Sequence, residues 1–447
     1  MRYFHLLWNL LKCKQNEKKT REQMKALQEK KLREMLVFAY KNSSYYHRAF
    51  EEAGICEDEI WKTPLKNFPA MDKQCLMEHF DELITVKDVS QEKLRRFDVK
   101  AGLEEKTFRG MYHVVHSSGS TGKPGYFLYD QDAWDAMITG MIRAALWGMS
   151  MGQIIKFLLK GPRILYVAAT DGRYGGAMAV GDGIEGVGAK QLFLDIKTPL
   201  SEWIAKIREF RPNMIVGYPS AIKIVGQLER QGEIKLNVSR IVSCGEPLGA
   251  SLRQYLEQTF HGVVLNYYGT SESLALGVQM TGEKGLSLFD DMNVIEAEED
   301  GMYLTSLYNF AQPLIRYRIS DRLQLLPEKE GGTGPFTKVK AIEGRCEDLL
   351  WFEDGKGERE FLHPLAIEGF CVEGLLDYQF RQLGTDAFEM LAQVSGKEKE
   401  KPVRQEMLRQ MKEILKEKNL DYVQFYVRFV DEILPDFHTG KKKLIAA

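Results

Sequence analysis

The central part of this chain alternates apolar, β-branched runs with amphipathic helical segments, and that alternation admits few folds. Ile164-Leu165-Tyr166-Val167-Ala168 reads as a buried strand, and Gln191 to Ile196 as another. Leu200 to Arg211 follows with Leu200, Trp203, Ile204, Ile207 and Phe210 on one side of a helix. Met214 to Gly217 is a strand, and Pro219 opens a helix where its missing N–H costs nothing. Val238 to Ser243 and Val263 to Tyr268 are strands on either side of a helix from Gly249 to Phe260. Strands separated by helices form a parallel sheet covered on both faces. Ligands of such sheets bind beyond the carboxyl ends of the strands, where the loops after Val242 and Tyr268 lie.

The flanking regions differ. Residues 1–100 read as a helical lead-in. Lys14 to Ala39 is predicted to be helical, with Met24, Leu27, Leu32, Met35 and Leu36 on an apolar face, followed by core aromatics Tyr45, Tyr46 and Phe50. Met1 to Lys14 carries an apolar run but no small-residue cleavage site, so it reads as a packing segment or weak interfacial anchor and not a signal peptide. Residues 101–275 hold the core, and 276–343 switch to short alternating segments of antiparallel type, such as Met302 to Thr305 and Arg322 to Leu325. Beyond a boundary near Glu343 to Asp348 the pattern restarts. Strands within Asp377 to Val394, a helix from Pro402 to Lys418 and a strand from Val423 to Val430 give residues 344–447 the look of a small α+β domain. The fold class is therefore α/β, a large N-terminal domain with a helix-covered parallel sheet and an antiparallel β subdomain, followed by that small C-terminal unit.

Charge excludes some functions. The chain's 61 lysines and arginines nearly balance its 63 aspartates and glutamates, which argues against a nucleic-acid partner. No run approaches the ~20 apolar residues of a transmembrane segment. The six cysteines are scattered without a C-x-x-C, which fits free thiols in a reducing, cytoplasmic setting.

One loop carries the strongest chemical signal. Ser117-Ser118-Gly119-Ser120-Thr121-Gly122-Lys123-Pro124 offers backbone N–H groups, hydroxyls and one cation to a polyanion, for which a triphosphate is the obvious ligand. It is not a P-loop, because Lys123 precedes a proline and the flanks, Tyr112 to Val115 and Tyr126 to Tyr129, read as the strands of a hairpin. Gly181-Asp182-Gly183-Ile184-Glu185-Gly186 matches G-x-G-x-x-G but is a decoy. Only four residues separate it from the next strand, and Lys206 stands where an acid would be needed.

Further segments suit nucleotide chemistry: Ser243-Cys244-Gly245-Glu246-Pro247, Asn266-Tyr267-Tyr268-Gly269-Thr270-Ser271-Glu272, Arg316 to Asp321, Gly344 to Asp348, and Thr439-Gly440-Lys441. Each alone is weak, and their order carries the specificity. That order resembles the adenylate-forming superfamily of acyl-CoA synthetases and adenylation domains. It is most similar to the phenylacetate–CoA ligase branch with its CapK-type and coenzyme F synthetase-like members. Tyr218-Pro219-Ser220-Ala221 followed by Gly245-Glu246 and Tyr268 to Glu272 is especially like the CapK type.

The resemblance implies roles. Ser117, Ser118, Gly119, Ser120, Thr121, Gly122 and Lys123 would wrap the outer phosphates of ATP. Gly245, Glu246 and Asn266 would border the adenine, with Tyr268 stacked on it. Ser271 would bond the α-phosphate and Glu272 would bind Mg2+. Asp321 and Arg345 would hold the ribose, and Glu347 would be the hinge of a mobile C-terminal domain. Lys441 would reach the α-phosphate and the substrate carboxylate. Tyr174, Tyr218 and Gly245 would line the acid pocket. The implied reaction activates a carboxylic acid as an acyl adenylate with loss of pyrophosphate, and coenzyme A is the implied co-substrate. Two alternatives remain open: transfer of AMP to a hydroxyl, and delivery of the acyl group to a carrier or sugar in capsule or natural-product biosynthesis. Ile319 and Ser320 depart from the family's usual Thr-Gly, and Glu347 from its usual Asp. A homodimer is also left open.

Overall fold

The computed structural model describes residues 2–100, 107–116, 125–168, 182, 189–195, 198, 200–332, 334–345, 350–353, 359–362, 367, 370, 372–417, 420–434 and 444–446. The chain begins with two helices, α1 (Arg2–Asn16) and α2 (Arg21–Asn42). The single helix expected from Lys14 onward is broken before Thr20. The Thr20 hydroxyl accepts the Gln23 N–H while the Gln23 side chain accepts the Thr20 N–H, a reciprocal cap that fixes a helix start there. Ser43 caps α3 (Ser44–Glu52), and α4 (Lys73–Glu78), α5 (Phe80–Leu83) and α6 (Gln91–Lys100) complete the lead-in.

Strands β1 (His113–His116) and β2 (Tyr126–Tyr129) pair antiparallel, with His116 opposite Tyr126. The serine- and glycine-rich segment 117–124 joins their ends and lies outside the described residues. Helices α7 (Gln131–Ala145) and α8 (Met151–Leu159) follow, each capped at its N-terminus by a side chain, Asp130 and Ser150.

The large sheet comes next. Strands β3 (Arg163–Ala168), β4 (Lys190–Asp195), β5 (Met214–Gly217), β6 (Arg240–Ser243) and β7 (Val263–Tyr268) run parallel in the order β4-β3-β5-β6-β7. Helices α9 (Leu200–Phe210), α10 (Pro219–Arg230) and α11 (Ala250–Phe260) make the last three crossovers. The sheet is larger than the sequence suggested. The chain turns sharply after Tyr268, at Gly269, where a Cβ would come within 2.4 Å of the Leu274 carbonyl. It returns as β8 (Gly277–Met280), antiparallel to β7, and continues into β9 (Leu286–Leu288). Strands β10 (Asn293–Glu298), β11 (Gly301–Ser306) and β12 (Tyr317–Ile319) form a separate antiparallel sheet. Strands β13 (Asp321–Leu325) and β14 (Lys338–Arg345) then rejoin the large one, giving nine strands of mixed direction.

The last part pairs β15 (Leu350–Glu353) with β16 (Arg359–Leu362). A second sheet orders β19 (Gln424–Phe429), β18 (Ala387–Val394), β17 (Leu375–Gln382) and β20 (Ile445–Ala446), with α12 (Glu400–Glu417) packed against it. Buried apolar side chains fall into two large clusters, one spanning Leu6 to Val339 and the other Leu350 to Ile445.

The order of the parallel strands reverses at β3, which has β4 on one side and β5 on the other. A crevice opens at such a reversal, outside the carboxyl ends. Gly217 ends β5 at that point with φ +154°, and a Cβ there would lie 2.0 Å from the Val167 carbonyl oxygen, so only glycine fits.

Candidate active site

The carboxyl ends of β5, β6 and β7 bring several of the expected residues together. Tyr218 follows Gly217, and its ring presses on Gly245 so closely that a Cβ at 245 would sit 2.7 Å from a ring carbon. These two expected pocket residues are therefore in contact, and the third, Tyr174, lies outside the described residues.

Glu246 turns its carboxylate onto the start of α10. It accepts the Ser220 N–H at 3.1 Å and the Ser220 hydroxyl at 2.9 Å. A carboxylate at a helix N-terminus is stabilised by the exposed N–H groups there. Gly245, in the left-handed region at φ +79°, gives the strand-to-turn step that aims Glu246 this way.

From β7, the Tyr268 hydroxyl donates to Asp321 Oδ2 at 2.7 Å. Two residues named from separate motifs thus meet at one point, with Asn266 two positions back on the same strand. Glu272 sits in the turn after β7, and its charge acts on the Tyr317 phenol. Burial, with Glu272 adding to it, pushes the Tyr317 phenol well above its ordinary range, so the hydroxyl stays protonated and remains a donor. The Tyr129 hydroxyl donates to the Glu272 carbonyl at 3.0 Å and lies 3.4 Å from that of Ser271. Tyr129 belongs to β2, so the turn 269–274 is tied to the hairpin that leads into segment 117–124. The Thr270 hydroxyl in this turn is buried with no hydrogen-bond partner among the described residues, and so is that of Ser243 at the end of β6. Unpaired buried hydroxyls are costly and rare, and these two lie at the end of β6 and just beyond that of β7.

Ser117 to Lys123, Glu347 and Lys441 lie outside the described residues. Arg345 ends β14 directly opposite Asp321 in the register, although nothing is described of its side chain.

Two contributors were missed from the sequence. Tyr129 bonds the Glu272 turn, and its sequence signal was only that of a strand residue. Tyr317 lay within the Arg316 to Asp321 segment but had no role of its own there. Lys223 was missed as well. It lies on α10 among buried Ile222, Val225 and Gly226, and a lysine amid buried positions of a helix was the available clue. Its ammonium meets Asp377 of β17 at 3.1 Å. Burial pushes Lys223 down to about 7, against an upward pull from Glu432. The Ser251 hydroxyl bonds the Phe370 carbonyl beside it. Between these contacts lies a cavity of about 100 Å3, lined by Ser220, Lys223, Glu246, Ser251, Asp377 and Leu444 among others.

No family model matches the chain. Individual relatives do. A phenylacetate–coenzyme A ligase of Escherichia coli (strain K12) is 28% identical over 353 residues, covering 74% of this chain and 72% of that one. Protein CapK of Staphylococcus aureus is 22% identical over 429 residues, covering 93% and 88%. The chain is thus similar to the phenylacetate–CoA ligases over about three quarters of its length, and to CapK over nearly all of it. The same fold is seen in a crystal structure of a 2-hydroxyisobutyryl-CoA ligase in the postadenylation state with 2-HIB-AMP. That structure superposes with a TM-score of 0.72 at 17% identity over 96% of this chain and 90% of that one. Two buried hydroxyls without partners among the described residues and a tyrosine–aspartate pair lie at or next to the ends of β6 and β7.

Proposed function

We propose that the chain uses ATP to activate a carboxylic acid and then passes the acyl group to coenzyme A. The observation that carries this reading is the meeting of Tyr268, Asp321 and the Glu272 turn at the carboxyl ends of β6 and β7. The substrate carboxylate oxygen attacks the α-phosphorus, the bond to the bridging oxygen of the β-phosphate breaks, and pyrophosphate leaves. The thiol sulfur then attacks the acyl carbon, the acyl–oxygen bond breaks, and AMP leaves. The first step joins two anions, so positioning and charge neutralisation supply most of its catalysis. Glu272 is the residue here that would hold Mg2+, a hard cation suited to carboxylate and phosphate oxygens. Asp321 accepts hydrogen bonds and suits ribose hydroxyls. Tyr268 presents a ring for the adenine, and its hydroxyl fixes Asp321. Tyr129 positions the Glu272 turn.

In the same reading, residues 1–343 form the nucleotide-binding body and 344–447 a unit that carries Lys441 in and out. Cys13, Cys56, Cys75 and Cys244 are free thiols, which supports a reducing, cytoplasmic setting. Among the described residues no helix is long and apolar enough to cross a membrane.

Pyrophosphate release across a panel of aryl, arylacetic and hydroxy acids, with and without coenzyme A, tests the reading. Release that depends on an acid, followed by thioester formation, is the expected result. Lys441→Ala is expected to lower the adenylation rate on the order of a hundredfold, the size of losing one charge-stabilising group, while ATP affinity holds. AMP transfer to a hydroxyl compound without any acid would replace this function with the adenylyltransferase alternative. Normal adenylation by Lys441→Ala would remove the C-terminal unit from the mechanism.

A further inference from the structure

Helices α1 and α8 pack together through Leu10, Leu146 and Ile154, a small apolar cluster separate from the main core. Their outward faces are unusually apolar. Leu7 and Trp8 on α1 are 45% and 58% exposed, and Ile155 and Leu159 on α8 are 53% and 83% exposed. Lys12 lies one turn beyond Trp8, with its ammonium 5.5 Å from the indole ring centre. Lys156 and Lys160 stand beside Ile155 and Leu159 and are exposed. Lys12, Lys156 and Lys160 form no ion pair with any described residue.

Neither helix contains an acid. That sets this face apart from the other exposed apolar side chains. Trp61 follows Glu57, Asp58 and Glu59, Trp351 is two residues from Glu353, Tyr422 follows Asp421, and Leu434 follows Asp431 and Glu432. These large apolar groups thus lie close in sequence to negative charge. On α1 and α8, exposed tryptophan, leucine and isoleucine lie beside lysines that pair with no described acid.

We propose that the α1–α8 face rests on an anionic lipid surface. Helices that lie in a membrane interface bury an apolar stripe at the depth of the headgroups, with tryptophan at the boundary and lysines toward the phosphates. Each lysine near such a surface contributes about 1 kcal/mol of attraction. The lysine stems also reach outward beside the apolar groups, so both terms act at one contact. Docking in this way leaves the strand-end crevice free, because neither helix contributes a residue to it. It would bring the acyl-transfer site close to acids or acceptors held in a bilayer.

The test is co-sedimentation of the full chain with phosphatidylcholine vesicles, with and without added phosphatidylglycerol. Binding is expected only when the anionic lipid is present, and raised salt should weaken it. The Lys12→Glu, Lys156→Glu, Lys160→Glu variant should lose on the order of a hundredfold in partitioning, from three lysines at about 1 kcal/mol each. Trp8→Ser with Leu159→Ser should weaken binding even at low salt. Unchanged circular dichroism and an unchanged adenylation rate in solution would show that both variants fold. Equal binding to neutral vesicles, or no binding to either, would overturn the proposal. So would a sedimentation-velocity dimer that Trp8→Ser with Leu159→Ser dissolves, since the face would then join two copies of the chain.

Discussion

In the large body the guanidinium of Arg143 is fully buried. It pairs with both carboxylate oxygens of Asp291, at 2.8 and 3.0 Å, and lies 3.8 Å from the centre of the Phe289 ring. Asn16 of α1 donates to the same carboxylate at 2.9 Å. In the C-terminal unit the arginines stay near water. Arg409 bridges Glu406 and Glu413 along the outside of α12, and Arg381 and Arg428 reach Glu389 from the surface. The contrast shows where each part draws its rigidity. The body fixes α1, α7 and the turn after β9 with a charge pair that water cannot reach. The C-terminal unit relies on its own apolar core, and Lys223–Asp377 and Ser251–Phe370 are polar contacts between it and the body. A body held rigid suits a site assembled from several strand ends.

Breaking the buried pair should have the largest effect. Arg143→Ala leaves Asp291 charged and desolvated, and a cost of about 3–5 kcal/mol is expected in urea denaturation. A loss under 1 kcal/mol would mean that the pair is not what fixes the body. Truncating the other core sharpens the comparison. Met390→Ala empties a fully buried position on β18 and should cost about 2–4 kcal/mol. The loss should appear as earlier unfolding of residues 350–446, with ATP binding by the body retained. A single transition that moves as a whole would show the two cores to be coupled.

A smaller effect is expected at the seam. With the seam closed, burial holds Lys223 at about 7, whereas an exposed lysine titrates near its ordinary 10.5. Opening the seam therefore takes up a proton at any pH between these values. Closure should weaken as pH falls from about 10 to 7 and then level off. Energy transfer between labels on the two parts would follow it, and Lys223→Met should flatten the profile. A profile that keeps its slope in that variant would place the titrating group elsewhere. The smallest effect belongs to Arg409→Ala. Its exposed ion pairs should leave the unfolding midpoint unchanged within error, and a clear shift would contradict the contrast drawn above.

The parallel half of the sheet was legible because β3, β5, β6 and β7 are short apolar, β-branched runs separated by helices with one clear face. The mixed character of the sheet was not. Alternation marks Gly277 to Met280 as a strand but does not say which edge it joins, and the direction is set by the Gly269 turn. The candidate site was legible as a set of residues but not as a set of contacts. Tyr268 and Asp321 were each singled out, yet their bond spans 53 residues and has no local signature. Glu246 was expected beside the adenine, and its grip on Ser220 depends on where α10 begins relative to β6. The break before Thr20 was readable in principle, since threonine followed three residues later by glutamine is a helix-start pattern. It was masked by the lysine- and glutamate-rich sequence on both sides.

The bond from Asn16 to Asp291 closes a loop of 275 residues. During synthesis, at about 5–20 residues per second, roughly 15–55 s separate the appearance of its two ends. Helix α1 is thus among the first segments made and among the last to be locked. Its apolar inner face, with Leu6 and Leu10, must wait at least until α7 emerges. In the living cell that interval is a window for chaperones, and slowing or hastening translation across residues 16–291 should change the yield of folded protein without touching its final stability.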